Sequence, residues 1–294
     1  MIVDFHVHST ASDGTCAPAE LVAKAARGGF AMMALTDHDN CDGVAEFASA
    51  AAAPVRLFPG IELSIDPGEG FDKFHLLGLG IDPENEGLKT FLKRVIDGRN
   101  ARNERILANF RRLGIEMCEA GRSGVFAYAH GEVLARPHFA RWLTDHGYAA
   151  DVKDAFAKYL LPESPDATRC YEDRYHPSQA EAIGVIHGAG GLAVMAHPKY
   201  WRREWKTIGV DFAAAEKGLA ALKDLGLDGV EALYQANTNE ENVEFVRIAT
   251  KLGYLKSAGS DFHGSNKPTI QLGMDVSDDY IAPLAKRLNE SSKV

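Results

Sequence analysis

Seven short apolar runs, spread along the chain and separated by helix-like stretches, constrain the fold more than any other feature. They are MIVDFHVH, AMMALTDHD, VRLFPGIELS, KFHLLGLGI, GLAVMAHP, DGVEALY and LKSAGSDFHG, each short and apolar enough for a β-strand. Between them, APAELVAKAARGGF opens with proline in its first turn and stops at Gly28 and Gly29, the usual punctuation of a helix. VAEFASAAAA, DFAAAEKGLAALKDLG and ENVEFVRIATKLG read as further helices. Strand and helix in alternation predict a parallel sheet with right-handed crossovers. Over 294 residues, a closed α/β barrel is expected rather than an open sheet.

Six of the seven runs carry side chains that chemistry uses: His6 and His8, Asp37 and His38, Glu62, His75, His197, then Asp261 and His263. In an α/β barrel the C-terminal strand ends share one face, so residues far apart in sequence meet there. The first of these runs continues into DFHVHSTASDG. The side-chain period of a strand puts His6 and His8 on one side, and paired neutral imidazoles suit zinc, manganese or iron. A solvated histidine pair is the plain alternative, and recurrence of the pattern down the chain favours the metal.

From about residue 99 to 177 the rhythm breaks. RNERILANFRRLGI, RPHFARWLTDHGY and DVKDAFAKYLL all read as helices. The expected organisation is therefore a barrel built from residues 1–98 and 178–294 that holds the metal centre. Residues 99–177 would form an inserted helical cap that contributes substrate contacts.

Composition narrows the function. A net charge of −9 and a pI near 5.7 argue against duplex DNA or an anionic membrane as partner. Cys16, Cys41, Cys118 and Cys170 form no CxxC pair, so neither a zinc ribbon nor a disulfide framework is expected. With no signal-like start and no membrane-length apolar run, a cytoplasmic protein is expected.

Taken in order, DFHVHSTASDG, ALTDHD, PGIELS, FHLLGLGI, MAHP and SAGSDFHG resemble the motifs of the PHP (polymerase and histidinol phosphatase) domain phosphoesterases of the amidohydrolase superfamily. The resemblance covers most of the chain outside the insertion. It implies a distorted (β/α)7 barrel, here with an inserted cap, and a trinuclear metal centre. By the family pattern His6, His8, Glu62 and Asp261 would hold the first metal. Glu62, His75 and His197 would hold the second, with Glu62 bridging, and Asp13, His38 and His263 the third. Imidazole and carboxylate ligation without thiolate suits two to three divalent ions, Mn²⁺ foremost and Zn²⁺ or Fe²⁺ as alternatives.

In ARPHFARWL the proline after Arg136 places Arg136 and His138 at a helix N-terminus, which reads equally as an anion site or an ordinary amphipathic helix start; the resemblance, to a PHP subgroup with a similar Arg-x-His helix start, implies the substrate contact. Lys199, just beyond AHP, would stand at the barrel mouth and meet a second phosphate; Arg202, Arg203 and Lys206 read as a charged loop. Arg99 and Asn103, four apart on one helical face, could reach inward from the cap. Tyr200, Trp201 and Tyr234 are candidates for stacking a base. His130, His146, His176 and His187 carry no supporting motif.

Within the family the chain most resembles the PHP proteins that remove the 3′-phosphate from nucleoside 3′,5′-bisphosphates, and that resemblance implies the same activity here. A metal-bridging hydroxide would attack phosphorus, with Asp261, His263 or His138 as proton-transfer groups. The expected partner is a small nucleotide or a short RNA end. Alternatives are 5′–3′ trimming of short RNA, histidinol-phosphate hydrolysis, or a non-catalytic metal-binding module.

Overall fold

The computed structural model describes residues 1–50, 54–66, 72, 74–118, 124–128, 134–202 and 204–291. In chain order the first half contains β1 (Ile2–Asp4), α1 (Pro18–Arg27), β2 (Phe30–Leu35), α2 (Val44–Ser49), β3 (Arg56–Ile65), β4 (Phe74–Leu79) and the long helix α3 (Glu86–Arg112). The insertion continues with α4 (Arg136–Asp145) and α5 (Val152–Ala155). There follow α6 (Gln179–Gly188), β5 (Leu192–Met195), α7 (Trp205–Ile208), α8 (Phe212–Asp224), β6 (Gly229–Tyr234), α9 (Asn239–Lys251), β7 (Leu255–Gly259), β8 (Met274–Asp275) and α10 (Asp278–Ser291).

The strands lie in the order β7-β6-β5-β4-β3-β2-β1-β8. Beyond β1 the chain turns to the other end of this sheet and closes it. Phe5 N–H donates to Ala258 O at 3.0 Å, Asp261 N–H to His6 O at 2.8 Å and His8 N–H to Phe262 O at 3.0 Å. Closure therefore brings the two histidine-bearing ends of the chain side by side. The expected α/β barrel is present, with two strands departing from an all-parallel sheet, of which the longer, β4, runs antiparallel to both β3 and β5. The link from β3 to β4 is too short to carry a crossover helix, so those strands must form a hairpin. The two-residue β8, antiparallel to β1, is too short for an apolar pattern to announce it.

Asp4 locks the closure. Its fully buried carboxylate accepts from His6 N (3.2 Å), Ser260 N (2.9 Å), Ser260 Oγ (2.6 Å) and Gly273 N (2.8 Å). Burial pushes its carboxyl up to about 6 even against these four donors. Asp4→Asn puts an N–H₂ where an acceptor is needed and should cost roughly 1–3 kcal/mol. At about 2–4 °C per kcal/mol the melting temperature is expected to fall by roughly 5 °C; an unchanged melt would remove Asp4 from the closure.

Two separate cores meet along α3. Leu88, Phe91, Leu92 and Val95 join the barrel core, with Ile183, Leu219 and Phe245. Ile106, Leu107 and Phe110 join a second core that runs through the insertion to Cys170 and includes Phe139, Trp142 and Leu143. Residue 99, where the insertion was expected to begin, lies inside this helix rather than at a linker. Between the two apolar stretches the buried positions are Arg99, Arg102 and Asn103, so one rigid helix carries polar groups across the junction of barrel and cap. Among the described residues, no helix is long and apolar enough to cross a membrane.

Candidate metal centre

All nine expected donors converge at one end of the barrel. Most follow the C-terminal ends of parallel strands, as the fold requires. His75 stands near the start of β4, and because that strand is reversed its start lies at the same end. The donors fall into four overlapping groups whose ligand atoms lie within 4.8 Å of one another: His6, His8 and Asp261; His6, Glu62 and His197; His38, Glu62 and His75; and His8, Asp13, His38 and His263. The set implied for a third metal is thus present with His8 beside it. Glu62, His75 and His197, implied as one set, are divided between two groups because Glu62 sits centrally. Its oxygens lie 3.2 Å from His6, 3.1 Å from His8, 2.9 Å from His38, 2.7 Å from His75 and 3.1 Å from His197.

The electrostatics hold the acids ready as ligands. Burial opposes ionisation of Glu62, yet the charges of His75, His38 and His6 keep it well below the usual carboxylate range. Asp13 is held low against burial by His263, His38 and His8, and Asp261 by His6, His263 and Lys267. Divalent cations require ionised carboxylates and neutral imidazoles, so a cation would displace the protons that, against burial, this acid cluster holds on His6 and His8, both raised above the ordinary imidazole value. Asp13 Oδ1, His38 Nδ1 and Glu62 Oε2 are buried and make no well-aligned hydrogen bond among the described residues, although such groups are normally satisfied. His38 Nδ1 lies 2.9 Å from Glu62 Oε2 and His263 Nε2 lies 3.2 Å from Asp13 Oδ1, so these atoms crowd together without alignment, and they and the donor chemistry fit cations.

Backbone strain marks the same place. Among the described residues, the non-glycine positions with positive φ are Asp39 (54°), His197 (27°) and Asp261 (59°). Such conformations cost about 1–3 kcal/mol each and gather at functional sites.

Behind the donors lies a shell in which the sequence points to Asp37 but not to Glu231 or Lys267. Glu231, on β6, bonds to His6 Nδ1 at 3.0 Å and accepts from His197 N at 2.6 Å. This fixes which nitrogen His6 offers inward. Asp37 accepts from Ser9 N, Ser9 Oγ and Ser12 Oγ at 2.8, 2.6 and 2.5 Å, anchoring the loop that carries Asp13. Asp261 divides its oxygens. Oδ1 faces His6, His8 and His263 at 3.6, 3.4 and 3.3 Å. Oδ2 accepts from Tyr234 Oη at 3.0 Å and Lys267 Nζ at 2.5 Å. A buried acid inside an apolar strand, as in DGVEALY, was the available signal for Glu231; Lys267 sits in a loop and had none.

A cavity of about 630 Å³ opens beside the donors, lined at one end by Asp13, His38, His75, His197, Asp261 and Lys267. Elsewhere its wall is made by Arg99, Arg102, Arg136, Arg174, Tyr171, His176 and Tyr200, with Glu163, Glu172 and Asp173 among the acids. Of the expected substrate contacts, Arg99 and Arg136 are in the wall. Lys199 is elsewhere: its Nζ donates to Ala236 O at 2.8 Å and pairs with Glu241 at 2.6 Å. His138 is buried and takes the Ala135 N–H on Nδ1 at 3.0 Å, so it caps α4. Asn103 accepts from Arg102 Nε at 2.9 Å and donates to Leu134 O at 2.8 Å. Of the expected proton-transfer groups, Asp261 alone lies in the wall.

Among the candidate base-stacking rings, Trp201 is core, 1% exposed and packed on Phe74. Tyr234 is spent on Asp261. The four cysteines are unpaired, and burial pushes the Cys41 thiol up to about 12, out of the ligand range. His187 pairs with Asp228, and His146 stacks on Trp142. His130, Arg203 and the Lys206 side chain lie outside the described residues.

The chain is similar to several known proteins. The PHP domain profile matches residues 4–160. The 3′,5′-nucleoside bisphosphate phosphatase of Chromobacterium violaceum is 36% identical over 92% of this chain and 90% of its own. The 5′-3′ exoribonuclease Rnm of Salmonella typhimurium is 31% identical over 93% of this chain and 88% of its own. A solved amidohydrolase from C. violaceum, with bound sulfate and no metal, gives a TM-score of 0.81 at 32% identity, covering 98% of this chain and 96% of that one.

Proposed function

This chain belongs to the PHP domain family and is a metal-dependent phosphoesterase; from that premise we propose that it removes the 3′-phosphate from nucleoside 3′,5′-bisphosphates. One observation carries the reading: a single cavity is lined by five of the nine donors at one end, Asp13, His38, His75, His197 and Asp261, and by four arginines in its remaining wall. A substrate with one reacting and one non-reacting phosphate fits such a wall. The volume falls within the roughly 300–1,000 Å³ usual for small-ligand pockets. Histidinol phosphate, whose amine is cationic, would meet repulsion from the same arginines.

We propose that His6, His8, Glu62 and Asp261 serve a first cation, Glu62, His75 and His197 a second, and Asp13, His38 and His263 a third, with Mn²⁺ as the resident ion. Divalent cations bound there would polarise phosphate oxygens and acidify a water. The chain's own residues supply the rest. Asp261 keeps Oδ1 for a cation, because Tyr234 and Lys267 already occupy Oδ2. Lys267, kept protonated by Asp261 against burial, neutralises an oxygen of the reacting phosphate. Glu231 and Asp37 hold ligand-bearing backbone and side chains still.

The exoribonuclease relatives favour a second reading, because a 5′-phosphorylated RNA end also presents a terminal phosphate ahead of the bond to be cut. The test is phosphate or nucleotide release by manganese-loaded and chelator-stripped protein. Substrates are adenosine 3′,5′-bisphosphate, 3′-AMP, 5′-AMP, histidinol phosphate and a 5′-phosphorylated dinucleotide. Preference for the bisphosphate of about 10-fold or more, the worth of one charge-assisted contact, is expected, and it should vanish on stripping. Faster cleavage of the dinucleotide would establish the exonuclease reading instead. Turnover of no ester by fully loaded protein would leave only a binding module.

A further inference from the structure

Hydrolysis of a phosphate ester frees an oxygen that needs a proton, and none of the expected proton-transfer groups is placed to give one. His138 caps α4, His263 does not line the cavity, and Asp261 has Oδ2 filled and Oδ1 among ligand atoms. The cavity wall holds four histidines, His38, His75, His176 and His197. Three of them belong to the donor groups, and His176 stands outside every such group among the described residues. It lies in the irregular chain between α5 and α6, yet it is seated on the sheet. Its Nδ1 is 3.4 Å from Ser64 O, and the O of the next residue, Pro177, accepts from Asp66 N at 3.0 Å. Ser64 follows Glu62 by two positions on β3 and pairs with His75 on β4. The imidazole is therefore tied to the two strands that carry those donors.

A backbone carbonyl only accepts, so Nδ1 carries a hydrogen there and proton exchange falls to Nε2. Nε2 lies 3.8 Å from Asp173 Oδ1, a countercharge for the imidazolium. The neighbouring Arg174 spends its charge on Asp39 Oδ2 at 2.9 Å. Other protonated groups of the wall suit the task less well. Guanidiniums do not release protons in proteins. Burial opposes the charge of Lys267, yet Asp261 holds its proton in place. An imidazole both gives and regains a proton near neutral pH.

We propose that His176 is the general acid of the reaction and protonates the leaving oxygen from Nε2. As the oxygen of water bonds to phosphorus, the bond from phosphorus to the leaving oxygen breaks. Its electron pair stays on that oxygen, which takes the Nε2 proton and departs as an alcohol. The attacking water gives up a proton to solvent and Nε2 regains one from solvent, so ester and water become alcohol and phosphate. This role rests on the phosphoesterase activity alone and is the same for a nucleotide and for an RNA end.

The test exchanges the leaving atom. Adenosine 3′,5′-bisphosphate and its analogue with sulfur at the bridging 3′ position are compared in the unaltered protein and in His176→Gln, because a thiolate departs without a proton. General acid catalysis contributes about 10²–10⁴-fold, so kcat for the oxygen ester is expected to fall by that factor while kcat for the sulfur ester holds. Metal content and melting temperature should match those of the unaltered protein. An equal loss on both esters, or no loss on the oxygen ester, overturns the assignment. Asp173→Asn, at a side chain 62% exposed, serves should the first variant fold poorly. Loss of the countercharge should slow the oxygen ester by roughly 2–5-fold and leave the sulfur ester unchanged; an unaltered ratio of the two esters refutes the proton donor. If the 5′-phosphorylated dinucleotide turns over and the bisphosphate does not, the bisphosphate reading fails. The same comparison on the dinucleotide, with sulfur at the bridging position, then judges His176. Turnover of no ester by loaded protein removes the reaction and this role with it.

Discussion

Glu62→Gln is expected to yield a folded barrel that loses its tightly bound metal and, with it, phosphoesterase activity. The substitution keeps the size of the side chain, so the surrounding packing of Ile61 and Leu63, both fully buried, has no reason to change. What changes is chemistry at the centre of five imidazoles, those of His6, His8, His38, His75 and His197, all within 3.2 Å of the Glu62 oxygens. One oxygen becomes an N–H₂ group, which cannot ligate a cation and presents protons to neighbouring nitrogens. The negative charge shared between two of the donor groups disappears. Outer-shell substitutions around metal sites already cost about 10–100-fold in affinity, so losing the shared carboxylate should cost more than about 100-fold in affinity and at least as much in kcat/KM. Elemental analysis of dialysed protein, alongside its melting curve, checks this. Full metal content with lost activity would move Glu62 from ligand to proton-transfer group.

The barrel was legible in the sequence, and so was the convergence of most of the expected donors, for one physical reason. Side chains at the mouth of an α/β barrel must follow apolar strands, so DFHVH, TDHD, GIEL, MAHP and SDFH stand out as polar ends on buried runs, whereas His75 opens its strand and Asp13 came from the family resemblance. The substrate pocket was less legible because its geometry depends on the cap. Lys199 follows its strand as a mouth residue should, yet Glu241, on the first turn of α9, draws it away. Arg102 sits one helical position from Asn103 and three from Arg99, in a helix with many exposed charges. Nothing local distinguishes it from those that face solvent. Arg174 lies in irregular chain between α5 and α6, and only tertiary contact with Asp39 gives it meaning. The reversal of β4 follows from the short stretch between VRLFPGIELS and KFHLLGLGI, a spacing that stands in the sequence although strand–helix alternation alone predicts a parallel sheet.

Gly259→Ala is expected to damage stability and metal binding together, through a single methyl group. Gly259 ends β7 beside Tyr234 of β6, in a fully described and buried part of the barrel. A Cβ there would stand 2.5 Å from the Cβ of His6 and closer still to Oε1 of Glu231, whereas real Cβ atoms essentially never approach within 3.0 Å. Neither neighbour can yield cheaply. His6 is fixed by the closure of the barrel, its O accepting from Asp261 N at 2.8 Å. Glu231 is fixed by His6 Nδ1 and His197 N. Overpacking of this kind costs about 1–3 kcal/mol or more, and displacement of Glu231 releases the imidazole that it orients, at a further 10–100-fold or so in metal affinity. Loss of Glu231 alone, as Glu231→Ala, opens space instead of filling it. The two variants should therefore share the metal defect but differ in melting temperature when stripped of metal, with Gly259→Ala the lower. Normal metal affinity in Gly259→Ala would show that the Glu231 carboxylate can shift without disturbing His6, and that the glycine serves strand packing alone.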